Sequence, residues 1–271
     1  MRASVVGHVE VVEFIQVESL PRPGEIVHAT GSWTEAAGGG AVAAVQLVNL
    51  GAETSFFTAL GNDELGRRAR DELEARGVRL HVEWVDLPQR RGITYLEDTG
   101  ERTITVIGEK LRPRGDDGSL PWEELRRTDC VYFTGGDVAA LAKARHARTL
   151  VATARELPTL GLGGIELDAL VSSATDTGER YERGDLDPPP RLVVATSGRL
   201  GGWAQPGGPF AAAPLPGPIE DNYGAGDCFA AGLTFALGRG DEPREALALA
   251  ARCGASVVTG RGPYEQQLRL I

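Results

Sequence analysis

Hydrophobic positions along this chain come in two spacings. Short apolar runs end at glycines, and longer stretches of helical period lie between them. Ser4-Val5-Val6-Gly7 is the first such run and predicts a buried strand. From Val9 to Trp33 there is no helical period. Val11, Val12, Phe14, Ile15 and Val17 precede the turn Pro21-Arg22-Pro23-Gly24, and Ile26 and Val27 follow it. This predicts two strands in a ribbon that cannot bury both faces in one core. Ala41 to Leu50 predicts an apolar helix, opening at Gly38-Gly39-Gly40 and stopped by Gly51. Thr54–Gly61 predicts a strand. Asn62 is then expected to cap an amphipathic helix over Asp63–Arg76, with Leu65, Ala69 and Leu73 on its buried stripe.

His81–Val85 alternates as a strand, and Gly92–Leu96 and Arg102–Ile107 predict a hairpin turning at Asp98-Thr99-Gly100-Glu101. A short helix follows Trp122. Cys130–Gly136, Thr149–Thr153, Leu167–Ser173 and Leu192–Gly198 are further apolar strands. Asp137 caps a helix reaching His146, and Gly201–Ala204 with Phe210–Ala213 predicts a hairpin. The chain closes on two apolar helices, one from Cys228 to Leu237 and one from Pro243 to Thr259.

Strand, glycine and helix recur at intervals of about 20 to 40 residues, the rhythm of a mostly parallel sheet with helices on both faces. The fold class expected is α/β. The ribbon (about 9–35) and the hairpin (about 90–108) combine into one small sheet outside the main core, a lid on a single domain spanning 1–271. With 271 residues, 42% of them hydrophobic, the chain has apolar material for such a core. A net charge of −10 argues against non-specific binding to nucleic acid or to an acidic membrane. Cys130, Cys228 and Cys253 lie far apart in apolar runs and are expected to be buried thiols in a reducing cytosol. His8, His28, His81 and His146 have no metal-ligand spacing. No apolar run reaches the ~18 residues that span a bilayer, and the N-terminus is too poor in apolar residues for a signal peptide. A cytoplasmic protein is the expectation.

Asp221-Asn222-Tyr223-Gly224-Ala225-Gly226-Asp227 carries the most chemistry. A glycine turn opening into a helix aims backbone N–H groups and the positive end of the helix dipole at one point, where anions settle. A carboxylate inside such a site is electrostatically awkward. Removing the proton from a hydroxyl beside a phosphate would give Asp227 a purpose there. Three glycine loops, Gly38–Gly40, Thr196–Gly201 and Gly224–Gly226, are expected to converge at the carboxyl ends of the strands, where ligands of parallel sheets bind. The glycines at 38–40 serve close helix packing equally well. A dinucleotide fingerprint would follow the first strand, which ends in the single Gly7, and a P-loop lysine is absent.

Asp221–Asp227, together with Ala37-Gly38-Gly39-Gly40-Ala41 and Leu60-Gly61-Asn62-Asp63-Glu64-Leu65-Gly66, resembles the signatures of ribokinase-like carbohydrate kinases of the phosphofructokinase B type. Order and spacing match over nearly the whole chain. The resemblance implies a three-layer α/β/α fold with a lid, and an ATP-dependent kinase acting on a hydroxyl of a sugar or sugar-like molecule, nucleosides included. It implies Asp227 as the base, with the amides of Gly224, Ala225 and Gly226 as an anion hole. Thr196, Gly198 and Gly201 would line the ATP site, and Gly38, Gly39 and Gly40 would lie against the acceptor. Asp221 would hold a monovalent cation such as potassium (K+), and magnesium (Mg2+) would bridge the phosphates mostly through water.

The chain also departs from the family pattern. Val42 stands where the family has an asparagine, and Gly39 where it often has a lysine. The aspartate that grips sugar hydroxyls falls on Val12. Glu10 or Glu13 either substitutes for it or is a solvated strand residue. The magnesium-organising Asn-x-x-Glu is reduced to Ser173-x-x-Asp176. Val12 and Val42 fit a hydrophobic acceptor pocket better than a free pentose. Arg91 and Arg102 are the candidates for a sugar phosphate, or are exposed hairpin arginines. The alternative reading is a nucleotide- or sugar-binding protein of the same fold with weakened catalysis. Phosphorylation of a hydroxymethyl pyrimidine is disfavoured by so large a lid. Because an isolated lid would leave apolar faces exposed, and lid strands of this family often pair across a two-fold axis, a homodimer through the lid is expected.

Overall fold

The structure, a computed structural model, describes residues 1–97 and 102–270; the expected turn at Asp98–Glu101 lies outside the described residues. In chain order its elements are β1 (Arg2–Val6), β2 (Glu10–Val17), β3 (Gly31–Ala37), α1 (Gly39–Asn49), β4 (Glu53–Gly61), α2 (Glu64–Ala75), β5 (Arg79–Val85), β6 (Arg91–Glu97) and β7 (Arg102–Ile107). Then come β8 (Cys130–Phe133), α3 (Val138–Ala144), β9 (Thr149–Thr153), α4 (Leu157–Gly163), β10 (Ala169–Ser173), β11 (Val193–Thr196), β12 (Gly202–Gln205), β13 (Gly208–Phe210), α5 (Ala225–Arg239) and α6 (Pro243–Val257).

The main sheet runs β13-β12-β11-β10-β9-β8-β1-β4-β5, parallel from β11 to β5, with the β12–β13 hairpin antiparallel at one edge. Its central strands are apolar on both faces because each face meets helices. Val5, Cys130, Tyr132 and Val151 face one core with α1, α2, α5 and α6. Val6, Val131, Phe133, Leu150 and Ala152 face the other, with α3 and α4. The result is a three-layer α/β/α body. Helix α5 is buried on nearly every side, and its small residues let neighbours approach closely: a Cβ on Gly232 would stand 2.8 Å from Cys253 Sγ. All three cysteines are free and buried. Among the described residues no helix is long and apolar enough to cross a membrane.

The second sheet, β3-β2-β6-β7, joins the two excursions into one lid. β2 pairs antiparallel with β3 and parallel with β6. The ribbon differs from expectation in one respect. Ile26 is 91% exposed, and the partner strand of β2 starts only at Gly31. Register explains this: Gln16 pairs with Gly31, so residues 18–30 form a loop around the hydrogen-bonded turn from Arg22 to Glu25. The cap of α2 is Asp63, not Asn62; its carboxylate accepts from the amide of Gly66. The same carboxylate accepts from the amide of Gln89, whose side chain bonds Gly61 and Val9. One acid thus starts a helix and anchors the chain where it leaves for β6.

Gly238 lies against β8, where a Cβ would stand 2.5 Å from Cys130 Cβ. Overpacking of this kind costs about 1–3 kcal/mol. Gly238→Ala is therefore expected to lower the unfolding free energy from urea titration by that amount, and an unchanged value would show that the helix seats differently on the sheet.

Candidate active site

The site is assembled by two helix N-termini meeting under the lid. Gly38 (φ +85°) turns the chain from β3 into α1, and Gly224 (φ +81°) turns it into α5; both conformations favour glycine. Helix α5 starts with no side-chain cap. Asp227 is thus in the first turn but is not spent as a cap, and the orphan amides of that turn face the same space. Two bonds fix the turn. Asp221 Oδ1 accepts from the amide of Tyr223 at 2.8 Å, and its Oδ2 from the amide of Gly262 at 3.1 Å. The Tyr223 hydroxyl in turn accepts from the amide of Gly38, tying the two glycine loops together.

The carboxylate of Asp227 lies over Gly39: a Cβ there would come within 2.8 Å of its Oδ1 and 3.1 Å of Thr134 Oγ1. Burial pushes the Asp227 carboxyl up to about 6, helped by Glu179, while Arg155 and Arg102 pull the other way. Glu10 adds to the upward push, which places it in the same field. It is 7% exposed and bonds Arg90 at 2.7 Å, so it is not a solvated strand residue. Glu13 is exposed. Val12 and Val42 are fully buried, Val12 against Gly92 and Val42 beneath Gly224, where a Cβ would meet its Cγ1 at 3.0 Å.

On the neighbouring strand ends, Ser173 and Thr196 are register partners of β10 and β11. Thr196 Oγ1 donates to the carbonyl of Ser172, and Ser173 Oγ accepts from the amides of Thr175 and Asp176. Gly198 and Gly201 follow with positive φ. The Asp176 carboxyl is held below its usual range, first by the amide of Gly178. Asp176 and Glu179 share the guanidinium of Arg155.

The lid supplies a cation. Arg102 Nη1 donates to the carbonyl of Asn222 at 2.6 Å, and the guanidinium lies 6.0 Å from the Tyr223 ring. Below Tyr223, Phe14 meets it edge-on and stacks on Trp33 at 4.9 Å. Arg155, Glu179 and Thr134 were not singled out by sequence, and Tyr223 was named only as part of the signature turn. A signal was present: Thr134, Arg155, Asp176 and Glu179 all follow carboxyl ends of parallel strands, where ligands of such sheets bind.

A base raised toward neutrality, orphan amides, and arginines from two sides suit the transfer of an anionic group to a hydroxyl. Comparison with known proteins agrees. The family model for pfkB family carbohydrate kinases matches residues 2–157 and 166–268. The chain is 28% identical to a fructokinase of Salmonella typhimurium, over 85% of this chain and 90% of that protein. It is 26% identical to an ATP-dependent ribose-1-phosphate kinase of Halopiger xanaduensis, over 94% and 91%. Its fold superposes on the ribokinase of Thermotoga maritima with a TM-score of 0.77 at 21% identity, over 98% and 96% of the two chains. With the signature turn, the lid and the parallel sheet all accounted for by one family, the chain belongs to the pfkB carbohydrate kinases, phosphotransferases with an alcohol group as acceptor.

Proposed function

We propose that the chain transfers the γ-phosphoryl group of ATP to a hydroxyl of a sugar or sugar-like molecule, with Asp227 as the base. The observation that carries this reading is the Asp227 carboxylate, lifted to about 6 and held over Gly39 at the uncapped head of α5. The acceptor lies along Gly38–Gly40. Its hydroxyl gives its proton to Asp227 as the oxygen bonds to the γ-phosphorus and the bond to the bridging oxygen of ADP breaks. The amides of Gly224, Ala225 and Gly226 receive the equatorial oxygens. Arg102, carried by the lid, adds positive charge when the lid is down. Glu10 is turned toward Arg90 and leaves the proton to Asp227.

ATP lies along Ser173, Thr196, Gly198 and Gly201. Asp176 and Glu179 are the acids that fit magnesium through its water shell, where the ion neutralises phosphate charge. Asp221 offers lone pairs beyond the two it gives to N–H groups, which fits a monovalent cation such as potassium. The protein works in the cytoplasm as a homodimer. Strand β7 is one edge of the lid sheet, with Ile104, Val106 and Ile107 each about two-fifths exposed. A second lid would cover that edge.

Asp227→Asn is expected to lower kcat by about 10²- to 10⁴-fold, the usual contribution of a general base. It should not lower the melting temperature. The native carboxyl binds its proton more tightly than the unfolded one, so above about pH 6 its ionised form costs stability that asparagine does not incur. Full activity in this variant would remove Asp227 from the mechanism. In the wild type, kcat/KM for the acceptor should fall as pH drops through about 6, because the base becomes protonated. A flat profile between pH 5 and 8 would contradict that assignment. Light scattering at micromolar concentration should give the mass of a dimer, and a monomer would rule out pairing through β7.

A further inference from the structure

A second polar cluster adjoins Asp227, and the phosphoryl chemistry leaves it unused. His8 and Glu10 lie where the chain enters the lid, Lys110 and Arg112 where it returns, and Thr134 and Glu156 beyond β8 and β9. Glu156, 1% exposed, accepts from Lys110 Nζ at 2.5 Å and from Arg112. Lys110 Nζ also donates to the carbonyl of Thr134 at 3.1 Å, which leaves its third hydrogen without an acceptor among the described residues. Glu10 is taken by Arg90. His8 is buried with Nε2 3.6 Å from Glu10 and Nδ1 without a partner among the described residues; burial and Lys110 keep it neutral, so it meets an anion through one N–H, at Nδ1. Lys110, Arg90 and Arg112 thus stand against Glu10 and Glu156, with Asp227 a third carboxylate across Gly39 and Arg112 partly open to solvent.

Missing side chains join this cluster to the base. A Cβ on Gly39 would meet Asp227 and Thr134; one on Gly38 would meet Glu10 at 3.2 Å and His8 at 3.4 Å; one on Gly135 would meet Lys110 Cε at 3.4 Å. The bare glycine backbone at 38, 39 and 135 thus borders Asp227, Glu10, His8 and Lys110. A desolvated ammonium with an unmet donor is costly, and an anion meets it with a charge-assisted bond.

We propose that Lys110 and His8 bind an anionic group of the acceptor, a carboxylate or a phosphate, at the end opposite the hydroxyl that Asp227 deprotonates. This rests on the kinase reading above. Glu10 does not repel such a group, because Arg90 neutralises it. A neutral sugar would offer the third Lys110 hydrogen no charge-assisted bond.

The test compares acceptors in pairs, D-fructose with D-fructose 6-phosphate and D-glucose with D-gluconate, in two arms. Turnover is measured with ATP and magnesium, and thermal shift without ATP. The anionic member of at least one pair is expected to show kcat/KM about tenfold or more above its neutral partner, with the larger thermal shift; the pair that does so tells phosphate from carboxylate. Lys110→Gln should reduce that preference about tenfold, mainly through KM. Turnover of neutral members equal to or above the anionic ones would overturn the proposal and leave the kinase reading standing. Thermal shifts by the anionic members alone, with no turnover of any acceptor, would support the anion site and count against the kinase reading. No response to either anion in either arm would overturn the proposal. If Lys110→Gln fails to fold, the wild-type pairs decide.

Discussion

A carboxylate can act as a base beside a phosphate only where the protein makes its charge uncomfortable without expelling it. In the mechanism proposed above that constraint falls on one residue, Asp227, and much of the architecture fits it. The group must be desolvated, so it sits at a helix head under a lid. It must not be buried in side chains, so Gly39 faces it bare. Its helix must start without a cap, so that the amides stay available to an anion. The turn that achieves this is itself unstable as an isolated loop. Asp221 and Tyr223 brace it from within, and their bonds to Gly262 and Gly38 tie it to two other parts of the chain.

The main-sheet strands were legible because parallel strands buried on both faces read as unbroken apolar runs. Cys130–Phe133 and Val193–Thr196 are of that kind. The opening of α5 was equally plain, since glycines flanked by acids and followed by an apolar run have few other uses. Boundaries set by tertiary register were not legible. Ile26 and Val27 look like strand residues, yet pairing with β2 passes them over and begins at Gly31. Asn62 and Asp63 are both good caps; Asp63 has the role because the same carboxylate also holds Gln89, a contact no local rule contains.

The site divides along the same line. Residues placed by one glycine turn could be found from their own neighbourhood. Arg155, Glu179 and Thr134 come from separate strand ends, and Arg102 from the far edge of the lid, so their convergence exists only in the folded chain. Val12 and Val42 show the converse. As letters they altered the acceptor site. In the structure they are packing residues, Val12 filling the space beside Gly92 and Val42 supporting the backbone of Gly224. The polar side chains of that region are His8, Glu10 and Lys110, of which only Glu10 stood out in the sequence.

The lid is closed by a parallel pairing of β2 with β6, strands that begin at Glu10 and Arg91. Between them the chain passes through β4, α2 and β5 of the main sheet. Parallel partners so far apart cannot find one another before that intervening segment has compacted, because the loop they close costs entropy until something shortens it. The order of assembly is thereby built into the connectivity: core first, cover last. Because α5 and the turn that opens it come from the C-terminal third, the glycine loop at Gly38 gains its partner only when that third has docked.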